Sequence, residues 1–266
     1  CDYENILPAL KVVLKVLLSV QEYGFIESEL GRAKSDYLAK LKQRFNNRND
    51  TESNRLVWNL VGHFLNQDPF AGIEWNYKTN PDMIDQVDIQ QINELTDGLF
   101  PDANLVIQVS LPDSEDLVIP GDSDILGVFD TVVNEDNVAY IDDAMDIPLL
   151  DTKFIRGRVI REKYHPELNL YEWHLANGST VFAKPTDFKE DEILFRVFAS
   201  GGNSMTPEED YISGNLATAV IKESGLADFN AVQLEKKLTG KLVNYNSYIG
   251  RYSHGAWGDT TPGDIE

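Results

Sequence analysis

A single cysteine, Cys1, in 266 residues leaves no partner for an internal disulfide and no thiolate cluster for a metal. Histidine is scarce as well: His63, His165, His174 and His254 are the whole supply, and no two of them have the i, i+4 spacing of a helical zinc site. Positive charge is in deficit, with 23 basic against 44 acidic residues and a formal charge of -21. A surface this negative repels phosphate backbones and anionic headgroups, so neither nucleic acid nor a membrane surface is an expected partner. Long apolar runs are missing too. The best candidate, Val12 to Val20, is interrupted by Lys15 and Ser19 and falls short of the roughly 20 residues of a membrane span, so no membrane insertion is expected. There is no initiator methionine and no signal-peptide pattern, and Cys1 runs directly into an amphipathic helix. The expectation is therefore a segment that begins inside a longer chain or after processing, with Cys1 as a cut site.

What is present is the composition of a globular protein, 42% hydrophobic and 10% aromatic, long enough for two modest cores. Apolar residues recur at helical spacing over residues 3–23, where Gly24 stops the run, and again from Glu27 to about Arg48 and from Thr51 to Asp68-Pro69. Shorter helices fit 71–77 and 88–99, the second with Asp88 as its N-cap. The run Asn104 to Ser110 reads as a strand. Between 113 and 156 the composition turns to acids and prolines, which reads as an inter-domain linker holding one small helix over 123–134.

After Arg156 strands are expected at 157–161, 170–175, 180–184 and 193–199, with Asn177-Gly178 as a hairpin turn. Helices are expected at 208–224 and 231–238, a further strand at 242–249, a bend at Tyr252 to Gly258, and a helix start at Thr261 to Asp264. The fold class is α+β: two partial α/β-sandwich units, with antiparallel-rich sheets packed by helices, joined by an acidic linker. The domain plan is 1–112, 113–156 and 157–266.

Trp173 to Pro185 resembles the opening hairpin of a unit of the pitrilysin/insulysin-type (inverzincin) zinc peptidases. Thr186 to Phe195 and Ser200-Gly201-Gly202-Asn203-Ser204 fit the sequel, where such units turn into their first long helix. Tyr23 to Lys34 resembles the helical hairpin near the end of a unit, and Asn104 to Pro112 its closing strand. The resemblance implies that 1–112 ends the first half of such a peptidase, 113–156 connects the halves, and 157–266 begins an inactive second half.

In the catalytic unit of that family the first long helix carries His-x-x-Glu-His, two histidines for zinc and a glutamate for its water. The equivalent helix here, Asn215 to Glu223, holds no histidine, and Glu223 alone is too few ligands for a catalytic zinc. Hence no catalytic and no metal residue is expected in this chain, which by itself is not expected to be an enzyme. Zinc belongs to the parent protein.

His63 is expected at a core or boundary position and His174 toward solvent. His165 beside Glu167 imitates an acid/base pair, but Pro166 forces a turn there, so a loop histidine is expected. The implied role is scaffold, hinge and substrate-chamber wall, with the catalytic N-terminal unit of the parent and a peptide substrate as partners. Phe195, Phe198, Tyr245 and Tyr248 are candidate peptide-binding residues, at least half of them expected in the core, and sheet edges are candidates for strand addition. The resemblance to bacterial family members places the parent in the periplasm or outside the cell. Two other readings stand beside it. One is a non-catalytic peptidase-like partner whose parent has no zinc site. The other is an unrelated acidic α+β binding protein, in which the Asn177-Gly178 hairpin and the Gly201-Gly202 turn would not share one sheet.

Overall fold

Helix α1, Ile6–Tyr23, forms where the apolar period demands it and buries Ile6 and Leu14. Gly24 ends it at φ 71°, its N–H returning to the Val20 carbonyl. A side chain at Gly24 would run into Asn93, whose amide bonds both the N–H and the carbonyl of Phe25, at 2.7 and 3.1 Å. The chain is described by a computed structural model over residues 5–96, 106–110, 119–150, 155 and 157–265. These residues form eight α-helices and two three-stranded antiparallel sheets, an α+β architecture.

Helix α2, Glu27–Asn46, has Glu27 and Glu29 in its first turn and Arg44 in its last, which suits the helix dipole. Helix α3 covers Ser53–Asn66. Helix α4 runs from Ile73 to Asp85, well past the expected 71–77. It passes through Pro81, whose missing N–H gives up the bond to the Tyr77 carbonyl. The Tyr77 ring stacks on Phe45 of α2 at 4.0 Å, with the Arg48 guanidinium 4.3 Å above Phe45. Helix α5, Ile89–Thr96, starts with a reciprocal cap: Asp88 accepts from the Gln91 N–H and Gln91 from the Asp88 N–H. Residues 97–99 of the expected helix lie outside the described residues. So do Asn104 and Leu105; residues 106–110 carry no strand, which corrects that expectation for the part described. Helix α6, Asp122–Val133, matches the small helix expected within the acidic stretch.

Two compact units emerge, each with its own interior. The first comprises residues 1–34 and 81–143, where α6 packs on α1 and seals Val132 completely. The second comprises 35–80 and 144–266. The divisions therefore fall inside α2, at Lys34/Ser35, and inside α4, at Asn80/Pro81.

In the second unit β1 (Val159–His165), β2 (Leu170–Leu175) and β3 (Thr180–Ala183) form one meander, in the order β1-β2-β3. Its hairpin turns at Asn177-Gly178, with Gly178 at φ 88°. Strand β4 (Ile193–Ser200) belongs to another sheet, ordered β4-β6-β5, with β5 at Val243–Ile249 and β6 at Ser253–Thr260. The hairpin and the Gly201-Gly202 turn thus do not share a sheet, contrary to the arrangement expected for a peptidase unit. Residues 184–192, with Pro185 unable to donate, separate β3 from β4. Helix α7, Tyr211–Ser224, preceded by a short 3-10 turn, packs on β5, and α8, Ala231–Leu238, follows a cap in which Asn230 accepts from the Gln233 N–H.

The expected bend at Tyr252 to Gly258 is instead most of the central strand β6. Glycine there serves close packing: a Cβ on Gly255 would overlap the Val197 carbonyl, and one on Gly258 the Asn244 carbonyl. The expected helix start at Thr261 to Asp264 is a turn. The Asp264 carboxylate closes it, accepting from the Thr261 hydroxyl and the Leu242 N–H, each at 3.1 Å.

Candidate functional site

The β4-β6-β5 sheet carries all four aromatic residues singled out by the sequence. Phe195 pairs with Gly258, which pairs with Tyr245; Phe198 pairs with Gly255, which pairs with Tyr248. Cross-strand partners share a face and odd steps along a strand change it, so Phe195 and Tyr245 lie on one face and Phe198 and Tyr248 on the other. They do not form a single wall. Each pair flanks a glycine, and the missing side chain between them leaves space for a ring: the Phe195 ring edge lies 2.8 Å from where a Gly258 Cβ would be.

Phe198 and Tyr245 are 64% and 61% exposed, whereas Phe195 and Tyr248 are half-buried. The Tyr248 hydroxyl is buried without a partner, and the Arg196 guanidinium sits 5.6 Å from its ring centre. Two aromatics are thus available to a ligand and two are packed. Among the described residues β4 and β5 are both edge strands, each with one row of backbone donors and acceptors not used by β6.

The histidines fall in places that sequence spacing did not reveal. His63 is exposed rather than in a core or boundary position; its Nδ1 donates to the Asp68 carbonyl at 2.6 Å and closes the end of α3. His254 lies in β6, where Nδ1 accepts the Gly202 N–H at 3.3 Å.

His165 and His174 converge on one carboxylate, Glu172. His165 Nε2 donates to Glu172 Oε2 at 2.7 Å and His174 Nε2 to Glu172 Oε1 at 2.8 Å. A carboxylate only accepts, so both rings carry the proton on Nε2. His174 Nδ1 then accepts from the Thr180 hydroxyl at 3.3 Å, and the ring is half-buried rather than turned to solvent. Glu167, with which His165 imitates an acid/base pair, stands 3.7 Å from its Nδ1, and His165 is the last residue of β1 rather than a loop histidine. The hydrogen bond of Glu172 with His165, foremost, and that with His174 hold its carboxyl below the ordinary range against a partial cost of burial. Sequence spacing did contain a signal: Glu172 and His174 alternate on β2, and the turn at 166–169 brings His165 back over them.

With both oxygens of Glu172 occupied by imidazoles, the cluster is a brace across the β1–β2–β3 meander. Among the described residues no group of three or more His, Cys, Asp or Glu side chains is placed to hold a metal ion. Helix α7 presents Glu223 and no histidine, so the residues of this helix do not fit a catalytic zinc. No helix among the described residues is long and apolar enough to cross a membrane.

No family model matches the sequence. A zinc protease PQQL-like protein of Arabidopsis thaliana is 27% identical over 221 residues, 82% of this chain and 23% of that protein. A probable zinc protease PqqL of Haemophilus influenzae is 22% identical over 254 residues, 94% of this chain and 27% of that protein. Among solved structures, a mutant of the ferredoxin protease FusC in complex with Arabidopsis ferredoxin superposes with a TM-score of 0.50 at 17% identity. That match covers 95% of this chain and 28% of FusC, a likeness of fold.

The chain spans about a quarter of the length of the curated relatives it matches. Separate sheets were the arrangement expected of an unrelated protein. The alignments nonetheless run through nearly the whole chain, and one strand pairing is a weaker discriminator than a sequence relationship of that extent. The chain is homologous to a segment of the PqqL-type zinc proteases, and the pitrilysin-type family is the one its sequence resembles.

Proposed function

We propose that this chain is the non-catalytic scaffold and substrate-chamber segment of a zinc-dependent metallopeptidase whose zinc site lies outside it. The observation that carries this reading is the alignment of 82–94% of the chain with only 23–27% of two zinc proteases, in a sequence that holds no His-x-x-Glu-His. Its partners are the remainder of the parent peptidase and a peptide substrate, in a periplasmic or secreted setting.

Phe198 and Tyr245, on opposite faces and opposite edge strands of the sheet, are two separate contacts offered to peptide, and the free edges of β4 and β5 suit an extended backbone. Phe195 and Tyr248 support the sheet from within. The acidic stretch serves as the connector between halves, and its compliance lets the chamber open.

The test is elemental analysis of the purified chain together with peptide cleavage by the chain mixed with the catalytic unit of the parent. The expected result is zinc far below one per chain, no cleavage by the chain alone, and cleavage by the mixture. One tightly held zinc per chain would overturn the proposal. A zinc-free, inactive full-length parent would replace it with the peptidase-like binding partner.

A further inference from the structure

The acidic stretch carries Glu135, Asp136, Asp142, Asp143 and Asp146 with no basic residue among them, and in a chain of charge -21 such a segment would be pushed outward by its neighbours. The structure shows the opposite over residues 135–142, which are fastened to α1 and α2 of their own unit. Glu135, just beyond α6, is held between Lys11 and Lys15 at 2.6 and 2.5 Å, two lysines one turn apart on α1. The Asn137 side-chain amide donates to Glu22 at 3.0 Å, and its backbone carbonyl accepts from the Tyr23 hydroxyl at 3.1 Å. Asp142 receives the Ser28 hydroxyl at 2.5 Å and the Arg32 guanidinium at 2.7 Å through the same oxygen.

The two ends differ in kind. The Glu135 end is also secured by packing, because α6 lies on α1 and Val132 is fully buried. The far end has the Asp142 hook, with the Arg32 and Asp142 side chains only 21% and 15% exposed. Ser28 and Arg32 are one turn apart at the start of α2, where the helix dipole adds to the attraction for a carboxylate. The first compact unit ends directly after this hook, at Asp143.

We infer that Asp142 is a latch on α2 that sets where the acidic connector begins. Closed, it withdraws residues 136–142 from the connector; open, it returns these seven residues, up to about 24 Å of extended reach. Its use as a control on chamber opening rests on the connector role proposed above, but the latch itself is a property of this chain. Screening at high salt weakens the pair, less than for the more exposed lysine contacts of Glu135.

Hydrogen exchange of the full chain, followed by mass spectrometry, tests it in Asp142→Asn and Arg32→Gln. Amides of 136–143 should exchange about 5- to 30-fold faster in both variants, while those of α1 and α6 keep their rates. In the unsubstituted chain, going from low salt to 1 M should move the same amides in the same direction by less. Unchanged exchange at 136–143 would overturn the inference, and so would an equal acceleration in α1 and α6, which would make the pair a support of the whole unit. Neither readout involves zinc or peptide cleavage, so the latch and the peptidase proposal fail separately.

Discussion

Replacing Gly258 by alanine asks whether the glycine-rich stretch after β5 is a bend or a central strand. A bend glycine has open space around it or a positive φ, and a single methyl there costs little when the φ is ordinary. In β6 neither Gly255 nor Gly258 has a positive φ. A methyl at Gly258 would overlap the Asn244 carbonyl oxygen, come within 2.9 Å of the Asn244 carbonyl carbon and 2.8 Å of the Phe195 ring. The ring can swing aside; the Asn244 backbone belongs to β5 and can retreat only by moving the strand. Overpacking of this kind costs about 1–3 kcal/mol. The amides of β5 paired with β6 should therefore exchange at least about fivefold faster in Gly258→Ala. Gly255→Ala, which meets the Val197 backbone of β4, should put the larger effect on β4 instead. Protection in both strands equal to that of the unsubstituted protein would refute the central-strand placement of β6 and with it the pairing of the four aromatics.

Among the described residues no atom lies within 4 Å of a Cβ added at Gly31 of α2, so Gly31→Ala should stabilise the helix by about 0.5–1 kcal/mol, read as a higher urea midpoint. The Glu172 carboxyl has a depressed value in the folded chain, foremost through His165, so its contribution is complete above the ordinary carboxylate value of about 4.3 and is lost as the pH falls through the lower folded one. Acid-dependent loss of exchange protection in 159–183 should follow that course and flatten in Glu172→Gln; a variant with an unchanged acid limb would remove Glu172 from the brace. Phe198→Ala and Tyr245→Ala should each weaken binding of an extended peptide about 5- to 30-fold, measured by calorimetry, while moving stability by no more than about 0.5 kcal/mol because both rings are exposed.

Helices were the legible part of the fold, since a 3.6-residue apolar period is visible without knowing any partner. The boundaries of α1, α3 and α8 lie within two or three residues of where that period and its caps place them. The β2–β3 hairpin was legible for a similar reason, as Asn-Gly between short β-rich runs is a local signal. What went astray depended on distant neighbours. Gly255 and Gly258 look like bend residues until Val197 and Asn244 are known to press on them. The helix expected over 71–77 stops short of α4, which runs on through Pro81 to Asp85. His165 reads as a loop histidine beside Pro166 until the return of β2 is known to bring Glu172 to it. The four aromatics were identified as a set, but their division between two faces follows from register, which the sequence of a single strand does not contain.

The apolar surface of α3 bears on the same conclusion from another side. Leu56, Leu60 and Phe64 form an i, i+4, i+8 stripe, with Leu65 beside it, and all four are between 48% and 79% exposed. A stripe of that width is the sequence mark of a helix that faces a core, and helices gain most of their stability from such packing and little from propensity. Sheet β1-β2-β3 presents a comparable case. Tyr164, Tyr171 and Trp173 line one face as tilted rings, at 4.8 and 6.1 Å between successive ring centres, and Val159, paired with Leu175 on that face, is 48% exposed. Surfaces patterned in this way are suited to burial against a further apolar surface.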